Sequence, residues 1–138
     1  MNRTKAERVL NRLARQLTGA RWVAVGSFRR GKEVRLHDID VLVEDEERAG
    51  QRHRVWVLGE PVDVVYTAPE CWGPALCYLT GSKEENIRLR AIAKRQGLLL
   101  NQYGVWRVTP KRRRRLDDNT EQGVYAALGV PYVEPEAR

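Results

Sequence analysis

Cysteine is scarce in this chain: Cys71 and Cys77 are the only two among 138 residues, and neither a CxxC nor a CxxH spacing contains them. That pattern excludes the common structural zinc sites and leaves two ordinary thiols of a reducing compartment as the expectation. Long apolar runs are missing too. None approaches the roughly 20 residues a membrane span requires, so no membrane partner is expected. The opening stretch MNRTKAERVLNRLARQL is charged throughout and lacks the apolar block of a secretion signal, which favours the cytoplasm. There the chain would be nucleoid-associated or, for a viral protein, in the host cytoplasm. Repeats and low-complexity linkers are also absent. At this length the chain can form one compact domain, in one or two lobes, holding a single activity.

Charge is what the sequence has in quantity. It is 42% hydrophobic and 31% charged, with a net charge of +7. Residues 1–35 carry ten Lys/Arg against two Glu, and 36–80 carry three Arg against nine acids. Residues 83–115 then carry eleven Lys/Arg against two Glu, and 116–138 one Arg against five acids. An acidic segment between two basic ones suits a metal-binding site surrounded by a polyanion's footprint.

The apolar pattern predicts the elements. Ala6, Leu10, Leu13 and Leu17 recur at helical spacing, so 3–17 reads as an amphipathic helix ending near Gly19, its apolar stripe packed on a sheet. RWVAV (21–25) is a short buried strand running into Gly26 and Ser27, where FRRG opens a short helix. DIDVLVED (38–45) is a second strand, with Asp38, Asp40 and Leu42 on one face and Ile39, Val41 and Val43 on the other. RVWVLGEPVDVVYT (54–67) reads as a hairpin joined by Gly59, Glu60 and Pro61, with Asp63 facing away from Val62 and Val64. PECWGPALCYLTGS reads as an apolar, turn-punctuated connector. SKEENIRLRAIAKRQG is a helix with a Ser82/Glu85 capping box, a polar face of Lys83, Asn86, Arg90 and Lys94, and Ile87 and Ala91 opposite. LLLNQYGVWRV is a small hairpin, KRRRR (111–115) a basic loop, and DNTEQGVYAALG a last helix capped by Asp118 and Glu121. Trp22, Trp56, Trp72 and Trp106 are assigned to packing, and His53 to the surface. The organisation expected is α+β: a mixed-sheet lobe over 1–68 and a smaller α+β lobe over 69–138.

Three carboxylates on one face, Asp38, Asp40 and Asp63, repel one another unless divalent cations neutralise them. Hard cations such as Mg²⁺ take oxygen ligands, and two of them ~4 Å apart serve an in-line phosphoryl displacement. The Gly26-Ser27 turn offers N–H groups and a hydroxyl to phosphate oxygens, and Arg29 and Arg30 add positive charge. Together the parts suit a grip on a nucleoside triphosphate. Separately, a DxD at a strand end also fits a solvated turn, GS before a helix is common, and KRRRR fits an exposed loop.

The conjunction resembles the nucleotidyltransferase superfamily, and within it the family X DNA polymerases. GSFRRG and DID are similar to the family's GSxRRG…D-x-D, and VDVVYT to its third-aspartate strand. YLTGSKEENIRLRAIAKRQG is similar to its YFTGS…N…R segment, and LLLNQYGVWR and GVPYVEPEAR to its hairpin and closing motif. The resemblance covers about residues 5–138. It implies a nucleotidyltransferase-type palm with flanking helices and a thumb-type lobe.

Carried onto this chain, the resemblance implies that Asp38 and Asp40 bridge two Mg²⁺ ions, with Mn²⁺ as a substitute. Asp63 would bind the catalytic metal nearest the primer 3′-hydroxyl, and Gly26, Ser27 and Arg30 would hold the phosphates of a dNTP. Tyr78 and Leu79, ahead of Gly81, would lie under the sugar, with Asn86 and Arg90 at the minor-groove edge of the nascent pair. Lys83, Lys94, Arg112, Arg113 and Arg114 would hold DNA phosphates. His37 stands where the family usually has Gly, similar to the terminal-transferase branch; it either touches a phosphate or is a half-exposed loop histidine. The Gly31–Asp38 interval is one residue longer than the family's.

No lyase or helix-hairpin-helix region precedes the palm in this sequence, so neither lyase activity nor processive synthesis is expected. The reading is a monomeric DNA polymerase that fills short gaps in primer-template DNA during repair. Its rivals are nucleotidyl transfer to a small molecule or protein, template-independent extension, and an inactive nucleic-acid-binding module.

Overall fold

The computed structural model describes all residues, 1–138. Helix α1 (Arg3–Ala14) leads to β1 (Trp22–Val25), the short α2 (Gly26–Arg30), β2 (Ile39–Glu44), β3 (Arg52–Val57) and β4 (Glu60–Thr67). There follow α3 (Trp72–Thr80), α4 (Lys83–Arg95), β5 (Leu98–Asn101), β6 (Gly104–Val108), β7 (Arg113–Arg115) and α5 (Glu121–Ala127). The architecture is α+β. No helix is long and apolar enough to cross a membrane.

The first sheet has the order β1-β2-β4-β3. β1 runs antiparallel to β2, β2 parallel to β4, and β3 antiparallel to β4, so the sheet is mixed. Strand pleat sorts its residues. Ile39, Val41 and Val43, with Val62, Val64 and Tyr66, face Ala6, Val9, Leu10 and Leu13 of α1. The apolar stripe of α1 therefore packs as its spacing predicts, each fully buried Val or Leu contributing roughly 1.5–3 kcal/mol. On the other face Leu42 and Val25 pack against Trp72 and Ala75 of α3. The β3–β4 turn is made by Leu58 and Gly59, both at positive φ, one step earlier than the sequence indicates.

The second sheet, β5-β6-β7, shares a core with α3, α4 and α5 formed by Cys77, Leu89, Ile92, Leu98, Val105, Val124 and Tyr125.

Five expectations need correction. The segment after Pro69 contains α3 rather than an irregular connector. Pro74 sits in its first turn, where an amide hydrogen has no helical partner to lose. Gly73 lies where a Cβ would collide with the backbone of Asn119, so its absence of a side chain serves close packing. Part of KRRRR is strand β7: Arg113 and Arg115 place their guanidinium centres 5.0 and 5.9 Å from the Trp106 ring centroid. In α4 the buried face is Glu85, Leu89, Ile92 and Ala93, while Ile87 is 50% exposed and Ala91 is exposed. Ser82 does cap α4, accepting from the Glu85 amide at 3.2 Å, but the Glu85 carboxylate turns to Arg88 and Tyr125 instead of closing the box. The cap of α5 is Thr120, which accepts from the Gly123 amide, and Asp118 accepts from Thr120.

Candidate active site

An open cleft of about 650 Å³ lies between the start of β2 and the α3–α4 junction. Its floor starts where β1 ends. Gly26 has φ +61°, and a Cβ there would stand 2.8 Å from Asp40 Oδ2, so only glycine lets the chain turn this close to the carboxylate. Ser27 and Arg30 of α2 line one side, with His37, Asp38 and Asp40 beside them. The opposite wall is Tyr78, Leu79 and Gly81, continuing through Lys83, Asn86 and Arg90 of α4. Thus the structure brings twelve of the residues named from sequence to one cleft: Gly26, Ser27, Arg30, His37, Asp38, Asp40, Tyr78, Leu79, Gly81, Lys83, Asn86 and Arg90. Asp63, Lys94, Arg112, Arg113 and Arg114 do not line it. Arg113 and Arg114 sit on the edge strand β7.

Asp63 is the register partner of Asp40 across the parallel β2–β4 pair, so their side chains share the sheet face turned away from α1. Burial, then the nearby Asp63 and Asp38 carboxylates, push the Asp40 carboxyl above its ordinary value, against partial relief from Arg52 and Arg54. Asp63 behaves oppositely. Arg54, its antiparallel partner on β3, donates Nε to Oδ1 at 2.8 Å and Nη2 to Oδ2 at 3.1 Å. Those bonds hold the Asp63 carboxyl below the ordinary range. No three acidic, histidine or cysteine side chains converge into a metal-ligand group.

The donor chemistry nevertheless fits a hard divalent cation. Asp38 and Asp40 offer carboxylate oxygens, and a bound cation would offset both the burial and the carboxylate repulsion that raise the Asp40 carboxyl. Each Asp63 oxygen retains a second lone-pair direction beside its bond to Arg54.

Sequence reasoning missed four residues here. Glu33 and Arg35 lie in the long Gly31–Asp38 interval and line the cleft, as does Arg52 of β3. Arg54 was hidden because only strand register shows it opposite Asp63; the alternation of RHRVWV against VDVV was the available signal. Arg30 is occupied within the protein: it donates to the Thr80 carbonyl at 2.7 Å and to Glu33 Oε1 at 2.9 Å. Arg29 points away from the cleft into a buried network, giving two hydrogen bonds to Glu121. Asn86 is fixed by donating to the Tyr78 carbonyl at 2.9 Å.

With a Gly-Ser turn beside paired aspartates on a mixed sheet, the chain belongs to the nucleotidyltransferase family: the nucleotidyltransferase domain model matches residues 6–97. The DNA polymerase beta thumb model matches residues 75–138, so both claim the segment that forms the Tyr78-to-Arg90 wall. The chain is 27% identical over 135 residues to "DNA polymerase/3'-5' exonuclease PolX" of Bacillus subtilis (strain 168), covering 82% of this chain and 23% of that protein. It is 29% identical over 168 residues to DNA polymerase lambda of Rattus norvegicus, covering 84% of this chain and 28% of that protein. The chain thus spans about a quarter of the length of these relatives, and its relationship is to family X.

Proposed function

We propose that the chain transfers a deoxynucleotidyl group from a dNTP to the 3′-hydroxyl of a DNA strand, filling short gaps in repair one nucleotide at a time. The observation that carries this reading is the pairing of Asp63 with Asp40, which lines a cleft together with the Gly26-Ser27 turn and with a far wall from the polymerase-type segment Tyr78–Arg90. A transferase acting on a small acceptor has use for the first feature but not for Asn86 and Arg90. In this reading residues 1–68 form the palm lobe and 69–138 the thumb-type lobe.

Asp38, Asp40 and Asp63 would hold two Mg²⁺ ions. When bound, such ions favour the ionised attacking hydroxyl and stabilise charge on the leaving oxygen. The chain's own residues supply the rest. The Ser27 hydroxyl and the turn amides receive triphosphate oxygens, and Arg30, Arg35, His37 and Lys83 line the cleft around them. Asp63, kept ionised by Arg54, accepts the proton of the 3′-hydroxyl. A bond forms between the 3′-oxygen and the α-phosphorus as the bond from that phosphorus to the pyrophosphate oxygen breaks. Tyr78 and Leu79 bear on the sugar, and Asn86, steadied by the Tyr78 carbonyl, meets the minor-groove edge together with Arg90.

Extension of a labelled primer on one-nucleotide-gapped and unpaired DNA, with Mg²⁺ or Mn²⁺, tests the reading. Wild type should add nucleotides and release pyrophosphate, and Asp63→Ala should not. Robust incorporation by Asp63→Ala would overturn it, as would transfer to protein or small acceptors with none to DNA.

A further inference from the structure

We propose that the edge strand β3 is the track by which the nucleic-acid strand bearing the attacking hydroxyl enters the cleft, with Arg52 and Arg54 against its phosphates and the Trp56 indole packed on one of its nucleotides. The proposal rests on the nucleotidyl-transfer reading above and extends it to an edge-strand surface that includes Trp56, a residue with no role there. Trp56, read from sequence as a packing residue, is 68% exposed, whereas Trp72 is buried at 7%.

The pleat of β3 sorts its side chains. Val55 and Val57 turn into the core beneath α1, and His53 stacks on Tyr66 at a centroid distance of 5.5 Å on that same side. Arg52, Arg54 and Trp56 therefore share the opposite face with Asp63, and no strand lies beyond them. Spending Nε and Nη2 on Asp63 leaves the Nη1 donors of Arg54 free for an anion.

The order β1-β2-β4-β3 gives this face a direction. The phosphate-binding turn leaves β1 at one flank, the aspartates occupy the middle, and the Arg-Arg-Trp stripe forms the other flank. In-line displacement requires the attacking oxygen and the leaving pyrophosphate on opposite sides of the reacting phosphorus. A triphosphate held on the β1 side therefore leaves the β3 side for the acceptor strand. From Arg52 to Trp56 the stripe runs four residue steps, about 13 Å. It sets two cationic groups in line with one aromatic group, the combination that binds single strands without reading their sequence.

The test is titration of fluorescein-labelled dT12 and of a primer-template, followed by anisotropy, with dNTP binding and thermal melting measured on the same samples. Trp56→Ala should weaken dT12 binding about tenfold, the scale of one lost stacking contact. Trp56→Phe should recover most of it, and dNTP affinity and melting should stay as in wild type. If wild type binds DNA and Trp56→Ala binds dT12 within twofold of it, this proposal is overturned and the nucleotidyl-transfer reading stands. Should wild type bind dNTP but neither DNA, both fall. A wild-type dimer in sedimentation that Trp56→Ala converts to monomer would make the stripe a contact between copies instead, and would equally overturn it.

Discussion

Replacing Glu121 with glutamine perturbs the interior at one carboxylate on which two guanidinium groups depend. Glu121 is 5% exposed and accepts from Arg29 at 2.8 and 2.6 Å and from Arg138 at 2.8 Å. Arg138 is itself buried, and its other side-chain bonds go to the Val133 carbonyl and the Tyr132 hydroxyl, neither of them charged. Glutamine keeps the shape, removes the negative charge, and turns an amide donor toward groups that only donate. Breaking a buried pair by removing one partner costs about 3–5 kcal/mol. For a chain of this size that corresponds to a fall in Tm of about 10–20 °C.

The pH dependence supplies a second signature of the same carboxylate. Burial pushes the Glu121 carboxyl up, but the hydrogen bonds and charges of Arg29 and Arg138 outweigh it and hold the group below its ordinary 4.5. A depressed native value means the carboxylate contributes its full stability above the unfolded value and loses it as pH falls through the folded one. The difference between wild type and Glu121→Gln should therefore be full at pH 7 and narrow progressively below 4.5. Urea denaturation followed by circular dichroism at several pH values measures it. A loss under about 1 kcal/mol at pH 7, the scale of an exposed pair, or a difference that does not shrink in acid, would refute the reasoning.

Two further outcomes follow from the site and the core. Glu33 holds Arg30 in the cleft at 2.9 Å, competing with any phosphate for that guanidinium, so Glu33→Gln should tighten dNTP binding about two- to fivefold in a fluorescent-nucleotide titration. Unchanged or weaker binding would show that Glu33 does not compete. Burial pushes the Cys77 thiol up to about 12, so a thiol reagent at neutral pH should modify only the partly exposed Cys71 in the native protein and both thiols after unfolding. Two equally fast modifications in the native state would contradict this.

The strands around the aspartates were legible because alternation fixes which residues share a face: Asp40 and Leu42 against Val41, and Asp63 against Val62 and Val64. Pairing was not. Nothing local states that β2 and β4 run parallel in the register Asp40 to Asp63, or that β3 brings Arg54 across from Asp63. Breaker residues misled where tertiary packing overrode them, at Gly73 and Pro74 in α3. The Arg run of β7 concealed a strand because its stabilising partner, Trp106, belongs to another strand. On α4 the apolar Ile87 marked the wrong face, since Glu85 is buried through its bonds to Arg88 and the Tyr125 hydroxyl.

Helix α3 lends Trp72 and Ala75 to one interior and Cys77 to the other. Neither sheet can shed it without uncovering its own oily side, so melting should proceed as one event across the molecule, with amides of both sheets exchanging hydrogen at matched rates under global opening. The helix also carries Tyr78 and Leu79 at its far end. Any load borne at those two positions is thereby felt by both interiors at once.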